Sequence, residues 1–93
     1  MSEKKLAKLY RVRGRVQGVG FRYFVEHWAK PLGVHGWVRN MDDGSVEVYA
    51  VGTPEQLSDL AGRLRQGPRW AEVRGLEESD APLEDHSGFS VRQ

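Results

Sequence analysis

Between Gly14 and Arg22 the sequence reads GRVQGVGFR, three glycines and a closing arginine, which together supply two kinds of donor suited to an oxyanion. Gly14, Gly18 and Gly20 permit positive φ and close backbone approach. A run of N–H groups from Gln17 through Gly18, Val19 and Gly20 to Phe21 can therefore form a concave nest for phosphate oxygens. Arg22 adds a planar pair of donors that matches two such oxygens. The competing reading is a turn that only reverses the chain, with Arg22 a solvated helix residue. The stretch is not a P-loop, since no Gly-Lys-Ser/Thr follows, nor a G-x-G-x-x-G fingerprint, since Tyr23 stands in the third glycine's place.

A second candidate is Asn40, the only asparagine in the chain. Its carboxamide can both donate and accept, which suits orienting a water toward a bound phosphoryl group. Alternatively it starts a turn, as asparagines often do. The cysteine count is zero, so disulfides, thiol nucleophiles and cysteine-based metal sites are excluded. His27, His35 and His86 have no metal-ligand spacing and read as surface or structural residues.

The elements that must position these residues follow from alternating periods. KLYRVRG alternates, with Tyr10 and Val12 on one face and Leu9, Arg11 and Arg13 on the other, and predicts a strand ending near Gly14. Phe21, Phe24, Val25, Trp28, Ala29 and Leu32 form the stripe of an amphipathic helix that stops at Gly33; Pro31, in its last turn, is expected to kink it or end it early. VHGWVRN and SVEVYAVG flank the turn signal MDDG and predict a hairpin, with Asn40 at the end of its first strand. Thr53, Pro54 and Gln56 are N-cap, first position and capping-box partner of a second helix striped by Leu57, Leu60, Ala61 and Leu64 and closed by Gly67. WAEVRGLEES predicts a fourth strand, DAPLEDHSG a loop and FSVRQ a short fifth strand.

The order β-α-β-β-α-β plus a terminal strand predicts an α+β, ferredoxin-like split βαβ sandwich with both helices on one face of the sheet. In that plan the first two strands run parallel, so Asn40 can share a sheet edge with the glycine-rich loop. The loop itself leads into a helix N-terminus, where orphan N–H groups and the dipole favour an anion.

A chain of 93 residues, 39% hydrophobic and 29% charged, suits one domain spanning 1–93. No apolar run approaches a membrane span and MSEKKLAKLY has no signal-like core, so the expectation is a soluble, cytoplasmic monomer. The net charge of +1 conceals an asymmetry: residues 1–40 carry nine Lys or Arg against two acids, and residues 41–93 carry five against eleven. A basic half favours an anionic ligand.

GRVQGVGFR, then LGVHGWVRNMDDGSVEVYAVG, then GPRWAEV, and finally Phe89 resemble the acylphosphatases in order and spacing, from about Leu9 to Val91. Pro31 departs from the pattern at the helix end and not at the loop. The resemblance implies hydrolysis of acyl phosphates, carboxyl-phosphate mixed anhydrides, to a carboxylate and inorganic phosphate, with no metal or other cofactor. It makes Arg22 and the amides of Gln17, Gly18, Val19, Gly20 and Phe21 the phosphate site, and Asn40 the residue that orients the attacking water. A carboxylate leaves readily, so positioning and charge stabilisation suffice, with the substrate's own phosphate taking the proton.

Two other functions fit less well. Trp37 and Tyr49, with Arg11 and Arg13, fall on the face the helices do not cover, which suggests single-stranded RNA binding. SVEVYAVG lacks the aromatic signature of an RNA-recognition module, so no nucleic-acid partner is expected. The third reading is a non-catalytic phosphate-binding domain of the same fold.

Overall fold

The computed structural model describes residues 4–93. Five strands and two helices follow in the order β1 (Leu6–Arg15), α1 (Phe21–Leu32), β2 (His35–Asn40), β3 (Val46–Gly52), α2 (Pro54–Gln66), β4 (Glu72–Asp80) and β5 (Phe89–Val91). The sheet order is β4-β1-β3-β2-β5. β3 is antiparallel to both β1 and β2, so β1 and β2 point the same way although β3 lies between them. β5 extends the sheet parallel to β2.

Both helices lie on one face, where their stripes meet the inward side chains of the strands. Phe21, Val25 and Ala29 of α1, with Leu57, Leu60, Ala61 and Leu64 of α2, close over Tyr10, Val12, Val38, Val46 and Val48. These side chains are withdrawn from water almost completely, and burial of this kind contributes about 1.5–3 kcal/mol per large aliphatic or aromatic group. Thr53 and Gln56 form the expected capping box: the Gln56 N–H donates to the Thr53 hydroxyl at 3.2 Å, and the Thr53 N–H donates to the Gln56 carboxamide at 2.9 Å.

Four local expectations change. α1 runs through Pro31 to Leu32, because a proline in the last turn forfeits one ladder bond while Gly33 and Val34 still close the end onto Lys30 and Ala29. β1 continues past Gly14 to Arg15 across a bulge between Arg13 and Gly14. β4 starts at Glu72, since the Ala71 N–H closes a turn onto the Pro68 carbonyl and leaves Trp70, 71% exposed, outside the strand. The face opposite the helices is not open. Trp37 and Tyr49 stack with centroids 5.8 Å apart and are 9% and 3% exposed. Segment 81–88 covers the tyrosine: the Tyr49 hydroxyl donates to the Pro82 carbonyl at 2.7 Å and accepts from the Glu84 N–H at 2.8 Å, and His86 packs 5.3 Å from its ring, while the Arg39 and Arg92 guanidinium groups lie 5.0 and 4.7 Å over the Trp37 ring.

The register fixes the geography of the site. Val12 of β1 faces Val46 of β3, and Val46 faces Asn40 of β2. Asn40 therefore stands two strands from β1, roughly 10 Å away at ordinary strand spacing, at the edge where β1 hands over to α1.

Candidate active site

The loop between β1 and α1 owes its shape to the sign of φ at two glycines. Gly18 has φ 73° and Gly20 φ 78°, while among the described residues none other than glycine has positive φ, so Val19 between them keeps the ordinary sign. Backbone that alternates in handedness in this way is the kind that can turn successive N–H groups to one side. A Cβ at Gly18 or Gly20 would meet nothing within 4 Å, so the requirement at both is backbone handedness and not room. Gly20 is also the N-cap of α1 and no side chain caps it. The first helical bond, from the Phe24 N–H to the Gly20 carbonyl at 3.1 Å, leaves the preceding amides ahead of the ladder. Gly14 serves a different end: a side chain there would collide with the backbone of Glu72 and Arg74, so this glycine lets β4 approach β1.

One concavity of about 100 Å³ is lined by Val16, Gly18, Gly20, Phe21, Arg22, Tyr23 and Asn40. Two stretches far apart in sequence thus meet at one surface. Gln17 and Val19 belong to the loop but their side chains turn elsewhere: Val19 packs on the core, and Gln17 reaches the β2–β3 turn. The Arg22 Nη1 donates to the Arg92 carbonyl at 2.7 Å, and the Arg92 N–H donates in turn to the Val38 carbonyl at 2.8 Å. The chain beyond β5 therefore anchors the guanidinium with a neutral acceptor, which uses one of its five donors and none of its charge.

The turn after Asn40 closes through other residues. The Met41 N–H donates to the Ser45 carbonyl at 2.8 Å and the Gly44 N–H to the Met41 carbonyl at 3.1 Å. The Asp43 carboxylate accepts from the Ser45 N–H and hydroxyl. The Ser45 hydroxyl, then its N–H, and beyond them the charges of Arg11 and Arg13 hold the Asp43 carboxyl below its ordinary range. Asn40 lines the concavity, and the turn that follows it is fastened by other residues.

Much of the basic charge in residues 1–40 is answered by acids. Lys8 pairs with Glu78 and Asp80, Arg11 and Arg13 with Asp43, Arg11 and Arg39 with Glu47, Arg13 with Glu77, and Lys30 with Glu26. The His35 ring nitrogen Nδ1 lies 2.9 Å from the His86 carbonyl, at the opposite end of β2 from Asn40. Among the described residues no cluster of three or more His, Asp or Glu has the arrangement of a metal site, and no helix is long and apolar enough to cross a membrane.

The family model described as acylphosphatase matches residues 8–91. The chain belongs to the acylphosphatase family. A curated acylphosphatase of Solibacter usitatus is 55% identical over 86 residues, covering 92% of this chain and 90% of its own. Among solved structures, the acylphosphatase of Bacillus subtilis superposes with a TM-score of 0.91 at 38% identity, covering 95% of this chain and 99% of its own. That of Coxiella burnetii gives 0.92 at 36% identity, with 99% and 100% covered. The acylphosphatase fold here is thus the expected ferredoxin-like sandwich with a fifth strand, and the chain is an enzyme whose substrate is a small acyl phosphate and whose product is phosphate.

Sequence reasoning missed three participants in this acylphosphatase surface. Val16 and the 63% exposed Tyr23 flank the quoted glycines and arginine and were legible only as neighbours. The Arg92 carbonyl left no signal, because a backbone acceptor is independent of the residue type that carries it.

Proposed function

We propose that the amides from Gln17 to Phe21 and the Arg22 guanidinium hold the phosphoryl group of the acyl phosphate, and that the Asn40 carboxamide orients the attacking water. The observation that carries this reading is the single concavity shared by Gly18, Gly20, Arg22 and Asn40. Water attacks phosphorus, the bond from phosphorus to the acyl oxygen breaks, and the carboxylate departs with that bond's electrons. The proton released by the water goes to a phosphoryl oxygen. Arg22 and the nest offset the negative charge on the equatorial oxygens as the transition state forms. Because the leaving group is a stabilised carboxylate, the reading requires no metal or other cofactor.

The same reading takes residues 1–93 as one domain acting as a monomer, since loop, arginine and asparagine all come from one chain. A chain without cysteine fits the reducing cytoplasm. It also favours no nucleic-acid partner: Tyr49 lies under segment 81–88 and Trp37 under the Arg39 and Arg92 guanidinium groups, and a base would have to displace that cover in order to stack.

The test is steady-state hydrolysis of a small acyl phosphate with excess chelator, titrated with inorganic phosphate. Full activity under chelation and purely competitive inhibition by phosphate are expected. Loss of activity on chelation, or noncompetitive inhibition, would overturn the site as described.

A further inference from the structure

The Gln17 side chain does something that its place in the phosphate loop does not require. Its Nε2 donates to the Met41 carbonyl at 2.7 Å and to the Ser45 carbonyl at 2.9 Å. Those two carbonyls already receive the turn's own bonds, from the Gly44 and Met41 N–H groups respectively. The carboxamide thus sits across the mouth of the turn and spends both its hydrogens on the two acceptors. Met41 directly follows Asn40, and Gln17 directly precedes Gly18 of the nest.

We propose that Gln17 is a positioning residue for the hydrolysis, holding the Asn40-bearing turn in register with the phosphate nest. This rests on the reading of Asn40 given above and adds the device that sets its distance. The nest belongs to the β1–α1 loop and Asn40 to β2, and the Val12–Val46–Asn40 register leaves a whole strand between them at that level of the sheet. Sheet pairing alone therefore does not fasten the loop to the turn, and the Gln17 bridge does so directly.

The residue type fits the task. Two carbonyl oxygens need two hydrogens from one nitrogen, and a neutral primary amide offers them without adding charge beside the phosphate. A glutamate would turn oxygens toward oxygens, and a lysine would place a competing cation at the edge of the nest. The bond directions also fix the amide: Nε2 and not Oε1 must face Met41 and Ser45.

The consequence for catalysis is specific. Loosening the bridge shifts Asn40 relative to phosphorus while the nest and Arg22 still bind phosphate. A misplacement of about 1 Å can cost up to roughly 10²-fold in rate, so a partial slackening should cost about tenfold. The defect belongs to turnover, and it acts through Asn40.

A double-mutant cycle reads that path directly. Gln17→Met keeps length and removes both donors; Asn40→Ala removes the water ligand. In the otherwise unaltered enzyme Gln17→Met should lower kcat about tenfold with the phosphate inhibition constant within about twofold, whereas in the Asn40→Ala background it should cost less than about twofold, because the group it positions is gone. Equal losses in both backgrounds, or a weakened phosphate constant matching the loss in kcat, would mean that Gln17 only stabilises the loop. Unchanged kcat in the single variant would also overturn the proposal. If Asn40→Ala by itself keeps its kcat, the assignment of Asn40 fails and takes this one with it, which separates the two failures. Gln17→Glu supplies a second route should the methionine variant fold poorly. Its carboxylate cannot donate, so kcat should be low at neutral pH and recover partly as the pH falls into the carboxyl range and a proton returns one donor. A flat ratio to the unaltered enzyme across that range would contradict the bridge.

Discussion

Arg22 and Arg39 are the same residue type at the same end of the sheet, and they live in opposite electrostatic circumstances. Arg39 lays Nε and Nη2 on one oxygen of Glu47, at 2.9 and 2.7 Å, with its guanidinium 5.0 Å over the Trp37 ring. Arg11 takes the other oxygen of Glu47 at 3.2 Å. Glu47, only 4% exposed, is thus a buried carboxylate between two guanidinium groups, and all three are committed to holding β1, β3 and β2 together. Arg22 has a carbonyl for its partner, so its position is fixed, and among the described residues no carboxylate pairs with its charge. An arginine count does not locate an anion site; the nature of each arginine's partner does.

The largest effect that would break this comparison lies at Arg22. Arg22→Ala should lower kcat/KM on the order of 10³-fold or more and shift the melting temperature by no more than a few degrees, measured by steady-state kinetics and thermal unfolding. Arg22→Lys should be nearly as inactive, because an ammonium keeps the charge and loses the two-pronged geometry. A lysine variant with near-normal turnover would show that charge alone suffices.

The smaller effect lies on the other face and in the other quantity. Glu47→Gln keeps shape and removes the charge that Arg11 and Arg39 share, so folding stability should fall by roughly 1–3 kcal/mol. Phosphate inhibition and kcat in the folded fraction should stay within about twofold. Denaturant unfolding and kinetics on one preparation decide the point; a large loss of kcat with unchanged stability would show that this network reaches the site.

The contrast also marks what the sequence could and could not disclose. Period and capping reveal the two helices, the hairpin and the parallel sense of β1 and β2, because those patterns are local and each agrees with its neighbours. The handedness of the loop was legible for the same reason: Gly18 and Gly20 announce positive φ within a few residues. Pairing is different. That Arg11 and Arg39 converge on Glu47, that Gln17 spans to Met41 and Ser45, and that Arg92 lends a carbonyl to Arg22 all depend on contacts between distant segments. The cover over Tyr49 was missed because DAPLEDHSG has loop composition, and composition does not say what a loop lies upon.

Asn40→Ala tests most directly whether the work is divided between a phosphate-binding nest with Arg22 and a water-orienting carboxamide. On one folded sample, kcat and the inhibition constant for inorganic phosphate are to be measured together. A hydrogen bond that matters chiefly as the transition state forms should lower kcat by on the order of 10²-fold, with KM and phosphate affinity nearly unchanged. A variant that keeps more than about half of the original kcat, or one that loses phosphate affinity in step with kcat, would contradict that division, since the loss of one preorganised group normally costs far more than a factor of two.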